Sequence, residues 1–253
     1  ASGENLSIYE GNTYKTYGGT VKLDTKEGQT YYIGARKSPS TIKTLTFTPA
    51  EEPAPDVTGF DEITLNGINA RVNVPSQTDG IPLAVYLSGE DGRGTDNMQQ
   101  VVNARPFMSA TENKAVLIAP QTETAWDTDS LKGFIDEAKA EYKTSTVIIV
   151  GQKEDAAEAY KLFDAADKII TIDGLTELGE NDITAIAQSG KPIMAFGAYE
   201  GLKRSEVRTP VTALQTAGAN IQYTEFPYGT NTAEQAAAQE STAQWILNEN
   251  ENS

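Results

Sequence analysis

From Phe60 onward, short apolar or β-branched runs alternate with longer helix-patterned stretches, and this alternation limits the possible folds more than any other feature. The runs fall at 68–74, 83–88, 115–119, 146–150, 168–172, 192–196 and 220–225. Helical spacing lies between and after them, near 96–109, 129–142, 155–166, 204–217 and 233–248. In the last stretch Ala236, Ala243 and Ile246-Leu247 share one face, and Ala236-Ala237-Ala238 reads as ordinary helix. Parallel strands need crossover connections, which helices supply. The pattern therefore predicts an α/β fold, a doubly wound and mostly parallel sheet. The 253 residues hold one such domain of about 200 residues with a small appendage.

The appendage precedes it. Residues 5–48 read as short strands at Leu6 to Tyr9, Thr20 to Leu23, Thr30 to Ala35 and Thr41 to Phe47. Gly11-Asn12, Gly18-Gly19 and Glu27-Gly28 read as turns between them. Five of the eleven tyrosines lie here, Tyr9, Tyr14, Tyr17, Tyr31 and Tyr32. Their faces suit either sugar stacking or a small core, and they are the candidate ligand-binding residues. Ala50 to Asp56 reads as a stiff polar linker. The expected division is a β segment over 1–50, a linker over 51–56 and an α/β domain over 57–253. Charge follows it: +2 over residues 1–50 and −18 over the remainder. Ala1-Ser2-Gly3 reads as a processed or engineered start.

The chain is acidic, with 36 Asp and Glu against 20 Lys and Arg. Such a surface repels phosphate backbones and anionic lipid, so neither nucleic acid nor a membrane surface is an expected partner. No apolar run is long enough to span a bilayer. There is no cysteine and no histidine. Disulfides, thiolate nucleophiles and Cys-based metal sites are excluded, together with the commonest general base. No metal or cofactor is expected. Asp127-Thr128-Asp129 lacks the glycine and ligand spacing of a calcium loop and reads as a helix cap. Gly92-Arg93-Gly94 lacks the Lys-Ser/Thr of a phosphate loop.

Several stretches, in order from about residue 60 to 248, resemble the phospholipase/carboxylesterase and polyhydroxybutyrate-depolymerase-like esterases. Gly67 to Pro75 resembles their opening strand. Pro82 to Asn97 resembles their oxyanion-loop segment, with Arg93-Gly94-Thr95-Asp96-Asn97 the most specific piece. Val116 to Gln121 followed by Trp126 resembles the next strand and loop, and Val147 to Asp155 the nucleophile elbow. The resemblance implies an α/β-hydrolase fold in which the strands ending at Ser88 and Gly151 are neighbours. Residues 31–49 resemble the last strands of secreted carbohydrate-associated β-sandwich modules.

The family's chemistry does not carry over. The elbow wants a serine on a strained turn between small neighbours. Lys153 holds the serine position and Asp155 that of the second small neighbour. Glu200 holds the acid position, Thr230 the histidine position, and Ser88 replaces the histidine before the oxyanion-loop glycine. Threonine cannot accept and return a proton near neutral pH as imidazole does. The resemblance thus implies a pseudoenzyme: a secreted or cell-surface bacterial module, binding polysaccharide or a cell-surface or multienzyme protein partner. The alternative is a hydrolase with a displaced, histidine-free site, either Ser88 with Lys153 as base or an acid pair drawn from Glu90, Asp91 and Glu200. Trp126 and Trp245 read as packing residues. With no function to maintain strain, Lys153 is expected at ordinary negative φ, its ammonium in solvent or paired to a carboxylate.

Overall fold

A computed structural model describes residues 2–10, 13–20, 23, 30–35, 42–44, 54–112, 114–174, 178–199, 204–227 and 231–248. The chain divides into two compact units, Ala1–Pro53 and Ala54–Ser253.

The first unit is an antiparallel sheet of β1 (Ser2–Glu10), β2 (Thr13–Thr20), β3 (Tyr31–Ala35) and β4 (Ile42–Thr44). Their order is β2-β1-β3, with β4 also paired to β1. The second strand begins at Thr13 and ends at Thr20, where the sequence suggested it would begin. Thr13 to Tyr17 is a Thr/Tyr-rich run of the kind that favours a pleated surface. Gly18-Gly19, expected as a turn, lies inside β2 beside the register shift between Ser2 and Leu6 of β1. Glycine tolerates that irregularity. Parts of the expected 20–23 and 41–47 strands, and the Gly11-Asn12 and Glu27-Gly28 turns, lie outside the described residues.

The second unit begins with a hairpin, β5 (Asp61–Leu65) and β6 (Ile68–Asn73). Its two-residue turn, Asn66-Gly67, has both residues at positive φ, 47° and 74°. Such turns match the twist of paired strands and favour Asn-Gly. The chain then alternates: β7 (Leu83–Leu87), α1 (Val101–Ala110), β8 (Val116–Pro120), α2 (Thr128–Tyr142), β9 (Val147–Gln152), α3 (Ala156–Lys161) and β10 (Lys168–Ile172). It continues through α4 (Glu180–Ser189), β11 (Ile193–Ala198), α5 (Arg204–Thr216), β12 (Ile221–Phe226), α6 (Thr232–Ala237) and α7 (Glu240–Leu247). The sheet order is β12-β11-β10-β9-β7-β8-β6-β5. Pairing is parallel from β12 to β8 and antiparallel at β6 and β5. The expected doubly wound, mostly parallel sheet is the one observed.

Strand side chains alternate between two cores. Val85, Ile118 and Ile149 join Leu131 and Phe134 of α2 and Tyr160 of α3 on one face. Tyr86, Leu117 and Val150 join Phe107 of α1, Ala236 of α6 and Ile246 of α7 on the other. Helices on both faces explain why β7, β8 and β9 read as continuous apolar runs. The stretch 233–248 is two helices, broken at Gln239, whose ψ of 120° is extended. Both then bury their apolar side, Ala233, Ala236 and Ala237 from α6 and Thr242 and Ile246 from α7.

Candidate functional site

Parallel α/β sheets present ligands at the carboxyl ends of their strands. There β7 and β9 are neighbours, with Leu87 opposite Gly151, so their following loops meet. After β9 the backbone turns sharply through Lys153, a 3-10 turn over Lys153–Asp155, and into α3. Lys153 has φ of 50°. The expected relaxation to negative φ has therefore not occurred; the strand-to-helix elbow keeps its left-handed residue, at a cost on the order of 1–2 kcal/mol. The close packing beneath explains why. A Cβ on Gly151 would stand 2.6 Å from both the Ala159 Cβ and the Asp155 carbonyl oxygen. With α3 that close to β9, the chain reverses in one residue, whichever side chain that residue carries.

Asp155 ties three segments together. Its carboxylate accepts from the Gly89 backbone N–H at 3.0 Å and from the Trp126 indole N–H at 3.0 Å. The Arg93 guanidinium donates to its other oxygen at 3.4 Å. Asp155 is 4% exposed. Burial raises its carboxyl above the ordinary range, against the opposing pull of Trp126, Gly89 and Arg93. Gly89 is itself confined to glycine. It sits at φ 71°, and a Cβ would approach the Gln152 carbonyl oxygen to 2.9 Å. The Arg93 to Asn97 segment is an organiser of this loop. Asp96 accepts from the N–H groups of Met98 and Gln99 and from the Gln121 amide, and the Asn97 side chain reaches the Ala70 carbonyl.

The other expected site residues are spread around this junction. The Lys153 ammonium pairs with Asp91, not with its sequence neighbours Glu154 and Asp155. The buried Ser88 hydroxyl donates to the Gln100 carbonyl at 2.9 Å. Glu90 pairs with Arg93 at 3.3 Å. Glu200 and Thr230 lie outside the described residues. The sequence reading missed Asp173, which follows β10 at φ 48°. Burial raises its carboxyl, opposed by Thr232, the Lys153 charge and the Ala198 backbone N–H. Its own charge adds to burial in raising the Tyr86 phenol, whose hydroxyl donates to Gln152 at 3.0 Å. An acidic residue directly after a strand, at the sheet's carboxyl edge, was the available signal.

The tyrosines separate. Tyr9 is the cross-strand partner of Tyr14 on one side and of Tyr32 on the other, whereas Tyr17 pairs with Ser7 and Tyr31 with Glu10. Tyr9 and Tyr32 are exposed, and Tyr31 is half-buried. Trp126 packs against the core while holding Asp155, and Trp245 packs against the opposite core. Asp127 is the N-cap of α2, accepting from the Ser130 N–H at 2.8 Å. Among the described residues no group of acidic side chains is arranged to hold a metal ion, and no helix is long and apolar enough to cross a membrane.

No family model matches the sequence, and no curated protein does. Solved structures do match. A thermostable esterase is 16% identical over 96% of this chain and 89% of its own, with a TM-score of 0.61. A Thermus thermophilus protein is 12% identical over 74% of this chain and 97% of its own, with a TM-score of 0.58. The esterase domain of a Rhodothermus marinus protein is 11% identical over 75% and 98%, with a TM-score of 0.56. With the strand order, the antiparallel β6 and the elbow after β9, these similarities show that the chain has an α/β-hydrolase fold.

Proposed function

We propose that this chain is a non-catalytic, esterase-like module whose role is binding. The observation that carries the reading is the Asp155 carboxylate on the Gly89 N–H. In α/β-hydrolases the oxyanion hole is completed by an N–H from the loop that holds Gly89 here. Such donors work by meeting negative charge as it develops. A buried carboxylate already occupies this one, and a second anion beside it would be repelled. Three further facts support the reading. The side chain at the nucleophile position is an ammonium paired to Asp91, the Ser88 hydroxyl is committed to Gln100, and no imidazole exists anywhere in the chain.

In this proposal residues 1–50 form a β module joined through 51–56 to the 57–253 domain, in a secreted or cell-surface protein. Its ligand is polysaccharide, taken by the exposed cross-strand pair Tyr9 and Tyr32, since tyrosine faces stack on the C–H faces of sugars. The strained φ of Lys153 favours a second reading, a hydrolase in which Lys153 activates Ser88. That mechanism needs a neutral lysine beside a free hydroxyl, and both groups are otherwise engaged.

A screen of short-chain nitrophenyl and acetyl esters, with fluorophosphonate labelling, tests the first claim. No turnover above buffer and no label are expected. Turnover that disappears in Ser88→Ala would overturn it. Pulldown on insoluble polysaccharides, with Tyr9→Ala/Tyr32→Ala losing retention, tests the second.

A further inference from the structure

On the face covered by α7, along β10, β11 and β12, lies a groove of about 360 Å³. This is within the size range of small-molecule sites. Lys168, Met194, Phe196, Gln222 and Thr224 share that face of β10, β11 and β12, and the groove is closed by Trp245 and neighbouring residues of α7. Parallel sheets are ordinarily covered by apolar contacts on both faces. Here β12 turns two exposed polar side chains, Gln222 and Thr224, toward the covered side.

The chemistry of the lining is selective. Gln222, Thr224, Gln239 and Ser241 have side chains with no hydrogen-bond partner among the described residues. Amides and hydroxyls both donate and accept, as the hydroxyls of a sugar do. Met194 and Phe196 provide an apolar floor for C–H surface. Among the described residues no carboxylate lines the groove. The one charged side chain among its described lining residues is Lys168, whose ammonium lies 4.6 Å from the centre of the Trp245 ring and donates to the Trp245 carbonyl. An ammonium has three donors, and the other two have no protein acceptor among the described residues. Burial pulls the Lys168 pKa down, with Asp167 opposing, so a carboxylate acceptor would relieve a real desolvation cost.

We propose that this groove binds a short anionic saccharide of the uronic acid class. The sugar carboxylate takes the free donors of Lys168, and the hydroxyls take the side chains of β12 and α7. This site is independent of what the tyrosine-bearing sheet binds.

The chain has three methionines, Met98, Met108 and Met194, and only Met194 lines the groove. Methionine methyl labelling of the full chain therefore reports on the site directly, with Met98 and Met108 as internal controls. The protein is titrated with a diuronate, with the corresponding neutral disaccharide, and with acetate at matched ionic strength. Saturable movement of the Met194 signal with the diuronate alone is expected. Lys168→Leu should weaken it about tenfold or more, the scale of one charge-assisted hydrogen bond. Because Lys168 also holds the end of α7, Gln222→Leu/Thr224→Val provides a second test on exposed positions and should also weaken binding. A silent Met194, equal movement with the neutral sugar or acetate, or undiminished binding by the Gln222→Leu/Thr224→Val variant would overturn the proposal. Met194 movement that persists in the Tyr9→Ala/Tyr32→Ala variant keeps this proposal distinct from the reading of the tyrosine sheet.

Discussion

Replacing Lys153 tests the strained elbow without reference to catalysis. At φ of 50° a lysine pays on the order of 1–2 kcal/mol that glycine does not. Lys153→Gly recovers that sum. Against it stand about 0.4–1 kcal/mol for the extra freedom of glycine in the unfolded chain and at most about 1 kcal/mol for the pair with Asp91. That pair is partly exposed, with side-chain exposures of 34% and 58%, and sits at the weak end of its range. The net change is expected to be near zero or slightly stabilising. Lys153→Val loses the same pair but places a β-branched residue in a region it scarcely tolerates. The two variants should therefore differ by about 2 kcal/mol or more. Urea unfolding followed by tryptophan emission and far-ultraviolet circular dichroism measures this, with equal m values required for the comparison. Lys143 at the end of α2, also left-handed at φ 52°, is the reference site where Lys143→Gly should not destabilise. Glycine and valine variants of Lys153 within about 0.5 kcal/mol of each other, as an unstrained exposed site gives, would refute the left-handed elbow.

Three further outcomes are expected. Gly151→Ala should cost about 3 kcal/mol or prevent folding, because the new methyl meets the backbone of Asp155 and Ala156, which cannot move aside; thermal unfolding measures it. Asp155→Ala should cost about 2–4 kcal/mol in the same assay, since it leaves the buried Gly89 N–H and the half-buried Trp126 N–H without an acceptor. Asp173→Asn should become more favourable relative to the parent as pH rises from 4 to 7. The folded carboxyl is raised by burial above its unfolded value of 3.8, so the native state holds the proton longer. Its contribution to stability is thus greatest at low pH and falls as pH rises through the folded pKa, and the amide removes that loss. Urea midpoints at the two pH values decide it.

The sheet was legible because its strands are buried on both faces: apolar runs of strand length, separated by helix-patterned stretches, leave few other solutions. Elements without that signature were missed. β5 starts with Asp61-Glu62 at the sheet edge and reads as loop, although the Asn66-Gly67 turn marks its hairpin. α4 buries one residue, Ile186, so its apolar stripe is thin, and the acidic first turn and Gly190 cap were its only clear signals. The alanine-rich C-terminal run was read as one helix because alanine favours helix everywhere; the break at Gln239 depends on which side each half must bury.

The absence of histidine and cysteine, by itself, decided that no imidazole relay or thiolate chemistry is available, since no folding can supply a missing functional group. Residue order likewise determined the α/β class, because periodicity is a local property of the chain. Tertiary structure alone decided the rest. Asp155 looks in sequence like a helix-start acid, yet it spans three segments because Gly89 and Trp126 arrive from elsewhere. Lys153 remains left-handed because Ala159 presses against Gly151, a contact between a strand and the helix that follows it. Lys168 opens a strand in sequence but meets Trp245 and a polar wall of β12 in space. Distances between groups far apart in the chain are set by packing, and the chemistry of a site depends on those distances.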